Sequence, residues 1–276
     1  MRTKLDLEFQ LTASPYPFRF YTHRRYFQFL HAAGIRSACV MIDIPSPPEN
    51  LTIHGTSSQR ALDALLTEAE SHGLSILEAV GGGDYTLPDI SAEVAKTVFH
   101  MDMVKRLGAR YLRIFAGWIN PKLATAATYR RVNVALREIA QEARTRDLTV
   151  IVENHGGITR TAEQINRLFR GIREENIGLN FDAGNFLMYG VDPQRALAKL
   201  RVPILFLHCK NVERTRGKKV YCRLDEGIID YPALLRTLIE KMGYRGPFCL
   251  EYEELSDCEA GTLEDKGTLL GWLRFL

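Results

Sequence analysis

Val150-Ile151-Val152-Glu153, Leu179-Asn180-Phe181-Asp182, Ile204-Leu205-Phe206-Leu207-His208 and Phe248-Cys249-Leu250-Glu251 decide how this chain is read. Each is a short, mainly apolar run that stops at an acid or an imidazole. A run of this length reads as a buried strand of a parallel sheet, and the charged residue behind it falls at the rim of that sheet. Three carboxylates and one imidazole on consecutive strand ends are therefore expected on one edge of the fold.

Between and before these runs the pattern changes to helical spacing. In residues 57–72, Ala61, Leu62, Leu65, Leu66 and Ala69 share one face, and Gly73 suits the left-handed position behind a helix. Helical stretches are also expected at 24–33, ending at Gly34, and at 91–107, ending at Gly108. Val132, Leu136, Ile139, Ala140 and Ala143 mark another. Thr161 and Gln164 have the spacing of a capping box, with Ile165, Leu168, Phe169 and Ile172 as the buried stripe behind them. Asp230 is placed to cap a helix that stops at Gly243, and a last helix starts near Gly261. Further strands are expected at 37–42, 74–80 and 110–115, and a first strand at 4–9.

Strand and helix thus alternate in eight units, which calls for parallel strands with helical crossovers. About 250 residues suffice for a closed (β/α)₈ TIM barrel, and 276 are present with no composition break. An open doubly wound sheet would carry a Gly-rich phosphate turn after its first strand; Gly81-Gly82-Gly83 follows the third. The expectation is a single-domain TIM barrel over residues 1–276.

Composition narrows the function. The 36 basic and 33 acidic residues leave a net charge of +3, too little to argue for nucleic acid or an anionic membrane. No apolar stretch approaches the roughly 20 residues that span a bilayer, and Met1-Arg2-Thr3-Lys4-Leu5-Asp6 does not begin a secretory signal. Five cysteines without a C-x-x-C pair read as reduced thiols, so a cytoplasmic protein is expected.

In a parallel barrel all strands end at the same mouth, where active sites are built. Glu153, Asp182, His208 and Glu251 then curve around part of that mouth and can converge on one divalent ion. Any one of them alone would read as a loop residue or a helix cap. Three oxygen donors and one nitrogen favour Mn²⁺ or Mg²⁺, Mn²⁺ first, with Co²⁺ and Zn²⁺ as alternatives. Glu253 has the same facing as Glu251, but Glu251 directly follows the apolar run.

The chain also resembles the xylose-isomerase-like TIM barrels, a group of sugar isomerases and epimerases, inosose dehydratases and related lyases. The resemblance lies in Ile151-Val152-Glu153-Asn154-His155-Gly156-Gly157, Asn180-Phe181-Asp182-Ala183-Gly184-Asn185, Leu207-His208-Cys209-Lys210-Asn211, Leu250-Glu251-Tyr252-Glu253 and the stretch from Glu226 to Leu235. It implies that Glu153, Asp182, His208 and Glu251 bind the metal, and that Glu153 and Glu251 form an acid/base pair about a sugar-like substrate. Removal of a proton beside a chelated ketone would leave an enediolate. Return of a proton gives isomerisation or epimerisation of a small ketose or keto-polyol. If the next carbon bears a leaving hydroxyl, the enzyme is instead a dehydratase or lyase of a keto-sugar, inosose or dehydroshikimate-like substrate. His155, two residues past Glu153, is a candidate proton donor for that loss, and lyases of the group use Glu-x-His.

Other residues are candidates for substrate contact. Asn185 stands where many relatives carry histidine, and an amide orients hydroxyls better than it binds metal. Lys210 lies two residues beyond His208, and Arg216 belongs to a long basic loop at 210–229 expected over the mouth. Trp118, after the fourth strand, is a candidate wall beneath a sugar ring. Glu78 either enters the mouth or pairs with Arg113. Two other classes compete. A repair endonuclease of this ancestry needs several histidines at strand ends, and only His155 and His208 are well placed. A non-catalytic sugar-binding barrel would not need a costly cluster of carboxylates. The expected partner is a small carbohydrate, without nucleic acid or membrane, and the chain is expected to form a homo-oligomer.

Overall fold

A computed structural model of the protein describes residues 10–44 and 51–276. The strand expected at 4–9 lies outside the described residues. In chain order the strands are β1 (Leu11–Ala13), β2 (Ser37–Ile42), β3 (Thr52–Ile53), β4 (Ser75–Val80), β5 (Tyr111–Ile114) and β6 (Thr149–Glu153). They continue with β7 (Ile177–Asp182), β8 (Ile204–Cys209), β9 (Asn211–Thr215), β10 (Lys218–Cys222) and β11 (Phe248–Leu250). The α-helices are α1 (His23–Ala32), α2 (Gln59–Ser71), α3 (Ser91–Arg106), α4 (Ala126–Arg144) and α5 (Ala162–Leu168). After them come α6 (Ala183–Met188), α7 (Pro193–Lys199), α8 (Tyr231–Arg236) and α9 (Cys258–Leu273).

Eight strands, β1, β2, β4, β5, β6, β7, β8 and β11, pair in parallel, and β1 pairs with both β11 and β2. That double pairing closes the sheet into a (β/α)₈ barrel and excludes the open sheet. The short β3 adds to β2 at the mouth. Helix starts follow local chemistry: Thr161 and Gln164 form the capping box of α5, and the Asp230 carboxylate accepts the Ala233 N–H to start α8. Among the described residues no helix is long and apolar enough to cross a membrane.

The 210–229 segment departs from the expected loop. β9 and β10 pair antiparallel from Asn211↔Cys222 to Thr215↔Lys218, with Arg216 and Gly217 as the turn. Both turn residues have positive φ, 51° and 79°, the geometry a two-residue hairpin favours because its twist matches the strands.

Side chains alternate along each strand, so residues two apart face the same way. Tyr111, Ile151, Phe206 and Cys249 pack with Cys39 in a buried cluster inside the barrel. Arg113, Glu153 and His208 each come two residues later on the same strands, and Glu251 two residues after Cys249, directly past the end of β11. They form the next layer toward the mouth, and the apolar plug beneath them shuts off the other end of the barrel. The larger core lies outside the strands, under the helices.

Candidate metal centre

Glu153, Asp182, His208 and Glu251 come together. Each offers a donor atom, all of these lie within 4.8 Å of one another, and all four residues are buried. His208 Nδ1 is 3.1 Å from Glu251 Oε2 and 3.7 Å from Asp182 Oδ2. Adjacent ligands of an octahedral ion with bonds of about 2.1 Å stand about 3 Å apart, so the spacing suits such an ion. The second His208 nitrogen, Nε2, is buried without a hydrogen-bond partner.

Local chemistry fixes the side chains of Asp182 and Glu153. Asp182 ends β7 and caps α6: its Oδ1 accepts the Asn185 N–H at 2.8 Å, while Oδ2 turns to the cluster. The helix-cap reading of this residue is thus met by Oδ1, which leaves Oδ2 facing the cluster. Asn154 clamps the same point, since its side chain donates to Asp182 O at 2.8 Å and accepts from Asp182 N at 2.7 Å. Glu153 is held through both oxygens, with Asn185 Nδ2 2.9 Å from Oε1 and Arg113 Nη1 in contact with Oε2.

Positive charge balances the carboxylates. The buried Lys210 ammonium is 3.0 Å from Asp182 Oδ2, 2.8 Å from Glu251 Oε2 and 2.6 Å from Glu253 Oε1. Its charge is shared among the three acids. Burial opposes ionisation of Glu251, yet His208 and Lys210 hold its carboxyl well below the ordinary range. For Glu153, burial is likewise overcome by Arg113, leaving its carboxyl lowered. Burial prevails at Glu253 and pushes its carboxyl up despite Lys210. Glu251, rather than Glu253, lies with the other three donors. Glu253 anchors the lysine.

Glu153 and Glu251 open from the cluster into a cavity of about 460 Å³. Lys210, His155 and Trp118 line it, with Phe115 and Arg113. Phe115, Trp118 and His155 form one aromatic corner, their centroids 4.9 to 5.8 Å apart. Asn185 reaches the site through Glu153. Arg216 does not come into the site: it sits exposed at the tip of the β9–β10 hairpin and does not line the cavity. The reason is the pairing of β9 with β10, which carries the turn away as an ordered finger. Glu78 pairs with Arg113 at 2.6 Å and stays buried. Two positioning residues, Arg113 and Asn154, had no assigned place at the site. A cation inside the apolar run Tyr111-Leu112-Arg113-Ile114 was the available signal, because a buried charge demands a partner.

The carboxylates and the histidine converge at the carboxyl ends of the strands of a closed barrel, the face on which TIM barrels build their active sites. Residues 26–274 match the model of the xylose isomerase-like TIM barrel family, and the chain belongs to that family. The rhizopine catabolism protein MocC of Rhizobium meliloti is 25% identical over 228 residues, covering 72% of this chain and 69% of that protein. A xylose isomerase-like TIM barrel protein from Mycobacterium smegmatis in complex with magnesium superposes with a TM-score of 0.74 at 19% identity, covering 91% of this chain and 87% of that one. A D-tagatose 3-epimerase-like protein gives 0.77 at 14% identity, covering 96% and 97%.

Proposed function

We propose that the protein is a divalent-metal-dependent isomerase or epimerase of a small ketose or keto-polyol. The observation that carries this reading is the convergence of donor atoms of Glu153, Asp182, His208 and Glu251 within 4.8 Å, with Glu153 and Glu251 lining a cavity of sugar-accommodating size. These four residues would hold the cation, Mn²⁺ first, with Mg²⁺, Co²⁺ or Zn²⁺ as alternatives. Bound there, it would polarise a ketone and its neighbouring hydroxyl and make the C–H between them acidic.

The chain's own residues do the rest. Glu153 takes the proton from the carbon beside the carbonyl, leaving an enediolate. Asn185 and Arg113 fix the direction of its two oxygens. Glu251, directly after β11, which is separated from β6 by β7 and β8, returns a proton from the other side. Lys210 balances the negative charge that develops. Trp118, Phe115 and His155 give the sugar an apolar wall, and the His155 ring nitrogens hold a hydroxyl. The plug beneath the site keeps water out from below.

Support comes from the family itself and from the magnesium complex and the epimerase-like protein among the structural neighbours. The test is metal analysis of the purified protein, then incubation of the metal-loaded form with keto-sugars and inososes in D₂O. The expected result is deuterium at the carbon beside the ketone, lost in Glu153→Gln. Metal-loaded protein that exchanges no such hydrogen on any of them ends this reading. A conjugated ultraviolet band would instead mark loss of water and make the protein a lyase.

A further inference from the structure

Across the mouth from the metal cluster stands a second built polar group. Asp43 directly follows β2, and β2 lies four strands from β7 in either direction around the barrel. Asp43 and Asp182 therefore close opposite sides of the mouth. Asp43 has φ 50°, a left-handed conformation that aspartate tolerates better than most residues.

Its carboxylate is clamped from behind. Oδ1 accepts the Gly55 N–H at 2.8 Å, and Oδ2 is 3.0 Å from His100 Nε2. His100 is fully buried on α3, and its Nδ1 accepts the Gly82 N–H at 3.0 Å. The ring proton therefore resides on Nε2 and is donated to Asp43. Burial also lowers the His100 pKa, against the pull of Asp43. A Cβ on Gly55 would stand 2.6 Å from Asp43 Oδ2, and one on Gly81 would stand 2.7 Å from His100 Nδ1. The backbone is bare at the two points where the pair needs room.

The Asp43 side chain keeps 30% of its surface exposed and lines the same cavity as the metal cluster. Each oxygen has accepted one hydrogen bond and can accept another, and an ionised carboxylate only accepts. We propose that Asp43, held by His100, is the subsite for the end of the substrate remote from its metal-chelating carbonyl, and that it selects an uncharged hydroxylated end over a phosphorylated or carboxylated one. The choice of reacting end rests on the isomerase reading above. The charge selection rests on Asp43 itself, a fixed anion whose partner His100 is neutral. Lys96 lines the same rim but is exposed, so water and salt screen its charge.

The experiment is calorimetric titration of the Mn²⁺-loaded protein, and of its Asp43→Asn variant, with D-fructose and with D-fructose 6-phosphate. Asparagine keeps the size, tolerates the backbone angle and retains one of the two acceptors, and a single cooperative thermal transition verifies that the variant is folded. The wild type should prefer the free sugar by about tenfold or more, the scale of one hydrogen bond to a charged group. Asp43→Asn should erase that preference, mainly through weaker binding of D-fructose. A variant that keeps the wild-type preference, a wild type that favours the phosphate, or a wild type that binds neither sugar overturns the proposal. Because binding is read without turnover, a lack of deuterium exchange would count against the isomerase reading alone.

Discussion

Arg113 bridges two buried carboxylates, with Nε 2.6 Å from Glu78 Oε1 and Nη1 against Glu153 Oε2. All three side chains are at most 6% exposed. The guanidinium thus links a residue deep in the barrel wall to the proposed base. Removing one partner of such a buried set leaves uncompensated charge, at a cost of about 3–5 kcal/mol. Arg113→Met is expected to lose stability on that scale by urea denaturation and to lose its ability to exchange substrate hydrogen. Arg113→Met combined with Glu78→Gln should recover part of the stability but not the exchange. Recovery of both would mean that Arg113 has no part in holding Glu153.

Lys210 gives a second prediction. Its ammonium is the shared cation of Asp182, Glu251 and Glu253. Lys210→Met should therefore destabilise the EDTA-treated protein by a few kcal/mol. Added Mn²⁺ stabilises any form that binds it, by about 2.7 kcal/mol at a hundredfold excess over Kd. The gain in Tm on adding Mn²⁺ is expected to be larger for Lys210→Met than for the wild type, because the ion then supplies the missing charge as well. Equal gains would separate the lysine from the metal centre.

What the sequence disclosed depended on how each feature is encoded. The parallel strands were legible because both of their faces are buried and they read as unbroken apolar runs. Glu153, Asp182, His208 and Glu251 were legible because each charge follows its run directly. β1 was not: Leu11-Thr12-Ala13 is too short for any periodic signal, and Ser14-Pro15 follows at once. The β9–β10 hairpin was hidden by its solvated charges, although Arg216-Gly217 between Val212 and Val220 carried a turn signature. The pairing of Asp43 with His100 joins residues 57 apart in sequence, a contact that only the closed barrel brings about. The acid/base roles came from family resemblance, since spacing alone says nothing of direction.

Asp265 supplies a prediction in pH. It is buried on α9, with Oδ1 accepting the Leu224 N–H at 2.8 Å and Oδ2 without a partner. Burial pushes its pKa from 3.8 up to about 7, against the pull of that N–H. Between these values the folded carboxyl keeps its proton while the unfolded one has lost it. The folded state binds more protons there, so stability falls as pH rises through the window. The loss is on the order of 4 kcal/mol once the pH exceeds the folded value. Asp265→Asn keeps the acceptor for Leu224 and removes the titration. Urea midpoints should be similar for the two proteins near pH 4 and higher for the variant at pH 8. A variant no more stable than wild type at pH 8 would refute the account.

The aromatic corner gives the last test. Trp118 is 54% exposed, and its ring meets that of His155 edge to face at 5.8 Å. A half-exposed side chain at a cavity mouth contributes little to the core, so Trp118→Ala should leave Tm within a few degrees of wild type. If the ring is the wall against which the sugar rests, its loss should raise KM about tenfold with little change in kcat, since stacking holds ground state and transition state alike. His155→Gln separates holding from proton transfer. A glutamine still hydrogen-bonds a hydroxyl but cannot cycle a proton near neutral pH. A change in KM alone keeps His155 as a hydroxyl-binding residue beside the Glu153–Glu251 pair. A collapse of kcat would make it the proton donor, and with it the expulsion of a hydroxyl would replace isomerisation as the chemistry of the site.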